Sequence, residues 1–164
     1  MGRWRPPPPK SSPYVTAKGF AALQEELRAL WERRHDVVRH LAAAAAEGDR
    51  SENAEYIYRK KELREIDRRI VYLQRRLPTL KVVTQAPAAP DRIYFGAIVE
   101  LESDTGEVRR YHIVGPDESD AEQGCISVDS PMARALLKRA VDDEVVLRTA
   151  ETTSRYLIVD IRYE

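Results

Sequence analysis

Two heptad seams divided by a glycine constrain this chain more than any other feature. Phe20, Leu23, Leu27, Leu30, Arg34, Val37, Leu41 and Ala44 follow one another in alternating steps of three and four. That spacing keeps apolar side chains on one stripe of a helix, and Arg34 is its single interruption. Leu63, Ile66, Ile70, Leu73, Leu77 and Leu80 repeat the pattern. Gly48 lies between the two seams, where a helix is easily ended. The simplest fold is an antiparallel coiled-coil hairpin.

The seams can be set in register. Phe20 with Leu80, Leu23 with Leu77, Leu27 with Leu73, Leu30 with Ile70, and Val37 with Leu63 give residue numbers totalling 100 in every layer. The turn then centres on residue 50, inside EGDRSENAEY at 47–56. Thr16 is a suitable N-cap for the first helix. A helix from about residue 16 to 47 is about 45–50 Å long at 1.5 Å per residue. Pro78 disfavours helix at the residue before it, so the second helix is expected to end or kink there and release Leu80.

After KVVTQAPAAP at 81–90 the period changes. IYFGAIVELES, EVRRYHIVG, GCISVDS, DEVVLRTA and RYLIVDIRY are β-rich runs between turn signals. PMARALLKRAV (131–141) reads as a short helix, with Pro131 suited to its first turn. The fold class is therefore α+β, with about five strands and one helix following the hairpin. The expected domains are a disordered proline-rich tail at 1–13, the arm at 14–82 with an acidic tip near 48–55, a linker at 83–90, and a globular domain at 91–164.

Charge separates along the 164 residues although the total is zero. Residues 1–80 hold 17 Lys and Arg against 11 Asp and Glu, a net +6; the remainder carries −6. Two surfaces with different partners are expected. No apolar run reaches the roughly 18 residues of a membrane span. The start, MGRWRPPPPKSSP, has no apolar stretch of the secretory kind. Cys125 is the only cysteine, which excludes an internal disulfide and fits a cytoplasmic protein.

The tip carries the candidate chemistry. Asp49 and Glu52 are three apart, and on a helix beginning near Asp49 they share a face. Two carboxylates suit a hard cation such as Mg²⁺, which usually also takes waters and phosphate oxygens. The set is incomplete, because no histidine is near; His35 and His40 are five apart and face different ways. Completion by a partner, as in a two-metal phosphoryl-transfer site, accounts for such a half-site. Ala42–Ala46 keep the helix slim beside the tip. Arg59, Lys60, Lys61, Arg64, Arg68 and Arg69 follow it, at a density able to engage nucleic-acid phosphates, and Tyr56 and Tyr58 are placed to stack on a base. A purely structural account also fits the pattern. Acids at a helix start favour the macrodipole, Ser51 or Asp49 can cap, and alternating charges can form pairs such as Glu65–Arg69 on a solvated face.

GDRSENAEY at 48–56, KKELREIDRRI at 60–70 and DSPMARALLKR at 129–139 resemble the Gre transcript cleavage factors of bacterial RNA polymerase, closer to the GreB branch than to the GreA branch. The resemblance runs over about 14–164. It implies a coiled-coil arm followed by an FKBP-like globular domain. It also implies a monomer that docks on RNA polymerase at its secondary channel, places its tip at the active centre, and stimulates cleavage of the 3′ end of backtracked nascent RNA. The factor would not be an enzyme itself. Asp49 and Glu52 match the catalytic acids that hold Mg²⁺ jointly with the polymerase, none being expected in the free protein. Ser51, Asn53 and Glu55 belong to the same motif. Arg59, Lys60, Lys61 and Arg64 match the RNA-binding basic patch, and Asp129, Ser130 and Pro131 match the polymerase-binding loop. Some relatives inhibit without cleaving, which leaves a secondary-channel inhibitor as the alternative.

Asp142 stands where many relatives have glycine, and aspartate tolerates the left-handed turn such a position needs. PDESDAEQ at 116–123 is unusually acidic, and the proline-rich start has no counterpart in the usual pattern. Isomerase activity is not expected, since a fold does not carry a function and residues 91–164 contain no Trp.

Overall fold

A computed structural model describes residues 10–46 and 54–164. The chain forms two compact units. Phe20–Leu80 make a helical unit, and residues 10–19 join Lys81–Glu164 in a sheet unit.

The chain enters through a short strand, β1 (Tyr14–Thr16), followed at once by α1 (Ala17–Ala46). Thr16 is the N-cap, as its side chain predicts: Thr16 Oγ1 accepts a hydrogen bond from the Gly19 amide at 3.0 Å. α2 (Ala54–Arg76) returns. Every seam position of α1 is buried or half-buried, with Leu23, Val37 and Ala44 buried. Ile66, Ile70 and Leu73 are buried on α2. Val37, Ile66 and Ile70 form one cluster, against which Leu27, Leu30 and Leu63 pack.

Charged residues beside the seam lock the two helices together. Arg33 pairs with Glu62 at 2.6 Å, and Arg69 with Glu26 at 2.6 Å. The two bridges lie one heptad apart on each helix, so the antiparallel register holds between them. Arg69 thus reaches across the hairpin to α1. Arg34 interrupts the seam but meets Asp67 at 2.7 Å and covers the Trp31 ring at 5.8 Å. Its aliphatic stem fills the stripe while the guanidinium leans out to the carboxylate.

Pro78 acts as its ring requires. α2 stops at Arg76, Leu77–Thr79 form a 3-10 turn, and Leu80 is extended with φ −73° and ψ 142°. Leu80 is thus released from the helix, as Pro78 leads one to expect, while Leu77 opens the 3-10 turn. The chain passes instead into β2 (Lys81–Val83), which pairs in parallel with β1. Residues 14–19 and 81–82 pack within the sheet unit. Val83, expected to open the linker, is the last residue of β2.

The second sheet is built from β3 (Ile98–Ser103), β4 (Val108–Val114), β5 (Cys125–Ser127), β6 (Glu144–Arg148) and β7 (Thr153–Arg162). Its order is β5-β4-β3-β7-β6, antiparallel except for the β4–β5 pair. α3 (Pro131–Leu136) covers it: Ala133 and Leu136, three apart on one helix face, are buried with Ile93, Val99, Leu101, Ile113 and Ile158. These five strands and one helix are those the β-rich runs predict. α3 is shorter than PMARALLKRAV because its end is claimed by other backbone. Lys138 turns to φ 68° and donates to the Ile93 carbonyl at 2.7 Å, while Ile93 donates to the Arg139 carbonyl at 2.9 Å. Asp142 takes φ 71°, the left-handed conformation expected of it.

Candidate functional site

Asp49, Glu52, Ser51 and Asn53 lie outside the described residues. What the structure describes is the helical frame on either side of them. α1 approaches through Leu41–Ala46, with Ala44 buried in the seam. α2 opens at Ala54, with Glu55 in its first turn. An acid there complements the partial positive charge of the helix start.

The four basic residues matched to RNA binding are not equivalent. Lys60, Lys61 and Arg64 are exposed, and Lys60 Nζ stands 6.0 Å from the Tyr56 ring centre. Lys61, Arg64 and Arg68 follow in steps of three and four, on the face of α2 opposite its seam. This is a continuous exposed basic stripe. Arg59 is set inward, its side chain 21% exposed. It contacts Glu62 at 3.3 Å and lies near Glu55 at 3.9 Å. Tyr58, at 63%, and Ile57, at 54%, are the most exposed large apolar residues described in the hairpin. His40 Nδ1 bonds to the Asp36 carbonyl at 2.7 Å. Among the described residues no group of His, Cys, Asp and Glu is arranged to hold a metal.

The loop matched to polymerase binding sits between β5 and α3. Ser130 caps α3 by accepting from the Ala133 amide at 3.2 Å, and Pro131 occupies the first turn. The Asp129 carboxylate accepts from the Ser12 amide at 2.8 Å and from the Ser12 hydroxyl. Ser12 therefore meets this loop, a contact between residues 117 apart that no sequence pattern signals. Beside the loop on β5, Cys125 is half-exposed, and burial chiefly, with the Asp120 and Glu118 charges adding, raises its thiol pKa above the ordinary value.

One member of the acidic segment 116–123 has a definite task. Glu118 Oε2 accepts from the Thr16 amide at 2.8 Å and the Gly115 amide at 3.0 Å, and Oε1 accepts from the Thr16 hydroxyl. The carboxylate thereby fastens the first turn of α1 within the sheet unit. Gly19 is required beside it, since a Cβ there would stand 1.9 Å from Glu118 Oε1.

Comparison with known proteins decides what these features belong to. The N-terminal domain model of the transcription elongation factors GreA/GreB matches residues 13–82, and the C-terminal model matches 87–163. The chain belongs to the GreA/GreB family of transcription elongation factors. It is 56% identical to transcription elongation factor GreB of Xanthomonas axonopodis pv. citri, covering 99% of this chain and 98% of that protein. It is 52% identical to GreB of Pseudomonas aeruginosa, with the same coverage of each. Among solved structures it is similar to GreA factor homolog 1 of Thermus thermophilus, 26% identical over 91% of this chain and 97% of that one, with a TM-score of 0.42. The boundary between the two GreA/GreB models falls within 83–86, just after β2. Among the described residues no helix is long and apolar enough to cross a membrane.

Proposed function

We propose that this factor binds bacterial RNA polymerase through its secondary channel and stimulates the polymerase's Mg²⁺-dependent cleavage of the 3′ end of backtracked nascent RNA. The observation that carries this reading is the intact Asp49/Glu52 pair in GDRSENAEY, within a hairpin that the GreA/GreB N-terminal model matches throughout. The pair offers carboxylate oxygens with no thiol or imidazole beside it, a donor set suited to Mg²⁺ and short of a full coordination shell. In a two-metal site such an ion activates a water and offsets charge on the phosphate. Asp49 and Glu52 supply ligands in trans, and the reaction remains the polymerase's own. Lys60, Lys61 and Arg64 attract the extruded RNA by its phosphates. Asp129, Ser130 and Pro131 dock the sheet unit.

The test is cleavage of stalled, backtracked complexes with purified polymerase. The wild-type factor shortens the RNA, and Asp49→Asn and Glu52→Gln abolish that while still binding. Slower synthesis with no shortened RNA would instead make this chain a channel-occupying inhibitor.

A further inference from the structure

Arg59 falls in the seam. It lies seven residues before Ile66, so the heptad that buries Ile66 and Ile70 continues through Arg59 toward the start of α2. The guanidinium is enclosed accordingly. Its Nε is buried and has no hydrogen-bond partner among the described residues, and Glu55 Oε1 stands 3.9 Å from it. Its Nη1 meets Glu62 at 3.3 Å, and Glu62, only 18% exposed, also accepts from Arg33 of α1 at 2.8 Å. An ionic chain therefore runs Glu55, Arg59, Glu62, Arg33 from the first turn of α2 across to α1. Lys60 and Lys61, beside it in sequence, point to solvent.

We infer that Arg59 is a positioning residue, which holds the start of α2, the helix that follows the Asp49/Glu52 motif in sequence, against α1, and that it is not an RNA contact. The inference rests on the cleavage reading for its consequence, not for its geometry. Glu55 and Glu62 flank the Arg59 guanidinium, so an incoming phosphate would meet two carboxylates along with the cation. An enclosed guanidinium whose Nε makes no hydrogen bond is costly as a stabilising device. Its planar fork reaches two acids at once, which a lysine ammonium does not reproduce. Displacing reacting groups by about 1 Å can cost about a hundredfold in rate, so a small shift at the start of α2 suffices to matter.

The experiment uses the full-length protein on elongation complexes with short or long extruded RNA. Arg59→Ala and Arg59→Lys are each expected to lower the cleavage rate at saturating factor by about tenfold, equally for both RNA lengths, with apparent polymerase affinity within about twofold of wild type. Lys60→Ala is expected to show a loss that grows with RNA length. A merely structural defect would reduce affinity or folded fraction and spare the saturated rate. In the free protein, hydrogen exchange of amides 54–58 should quicken about tenfold in Arg59→Ala and stay unchanged in Lys60→Ala. The proposal is overturned if Arg59→Lys keeps the wild-type rate, if the Arg59→Ala loss grows with RNA length, or if exchange at 54–58 does not change. A wild-type factor that stimulates no cleavage would remove the functional reading, and the exchange experiment would still decide the role of Arg59.

Discussion

The helical unit and the sheet unit solve the burial problem in opposite ways. The hairpin has a line of buried residues one side chain wide, and it recruits cross-helix ion pairs and the stem of Arg34 to complete that line. The sheet unit closes a core of nine buried apolar residues between strands and α3. A line leaves most of its surface free for charge, which is what a unit carrying a basic stripe needs. A closed core supports short loops of defined geometry, such as the one holding Asp129, Ser130 and Pro131.

Substitutions should separate the two modes. Leu136→Ala, at 0% exposure in the closed core, should cost the sheet unit about 2–5 kcal/mol, read as a lowered midpoint in denaturant. A loss well under 1 kcal/mol would mean that this core is as forgiving as the seam. Glu118→Ala orphans two backbone amides and a hydroxyl, at an expected cost of about 1–3 kcal/mol. Glu118→Gln should recover part of it, and Gly19→Ala should be damaging in wild type but milder beside Glu118→Ala. Arg34→Leu tests the line itself. Replacing a half-exposed cation with an apolar residue in the seam should stabilise the hairpin by about 1 kcal/mol, detectable by helical circular dichroism on heating. Destabilisation would show that the Asp67 pair contributes more than the apolar stripe. The smallest effect belongs to Glu26 and Arg69, side chains 38% and 41% exposed. A double-mutant cycle on unfolding should give a coupling of about 0.2–1 kcal/mol that shrinks with salt.

The same contrast explains what could be read from the sequence. The seams declare themselves because a period of seven repeats many times, and the five strands because β-branched runs alternate with turns. β1 and β2 carry no such signal, being three residues each. Pro78 marks the end of α2 because its ring acts locally. The end of α3 was hidden, since it depends on Ile93 pairing with the backbone after Leu136 from far away in the chain. Glu118 looks like one more surface acid in PDESDAEQ until the fold brings Thr16 to it. Arg59 was legible in principle: extending the α2 heptad backward past Leu63 puts it in the seam, whereas reading it only as part of a basic run puts it on the surface. The acids of the tip are marked by motif and spacing alone, and they lie outside the described residues.

The central claim is that Asp49 and Glu52 lend a metal site to the polymerase, and a backtracked elongation complex tests it most directly. With wild-type factor and Mg²⁺ the nascent RNA should shorten from its 3′ end, and with Asp49→Asn it should stay full length while the factor remains bound. Equal shortening by wild type and Asp49→Asn would contradict the account.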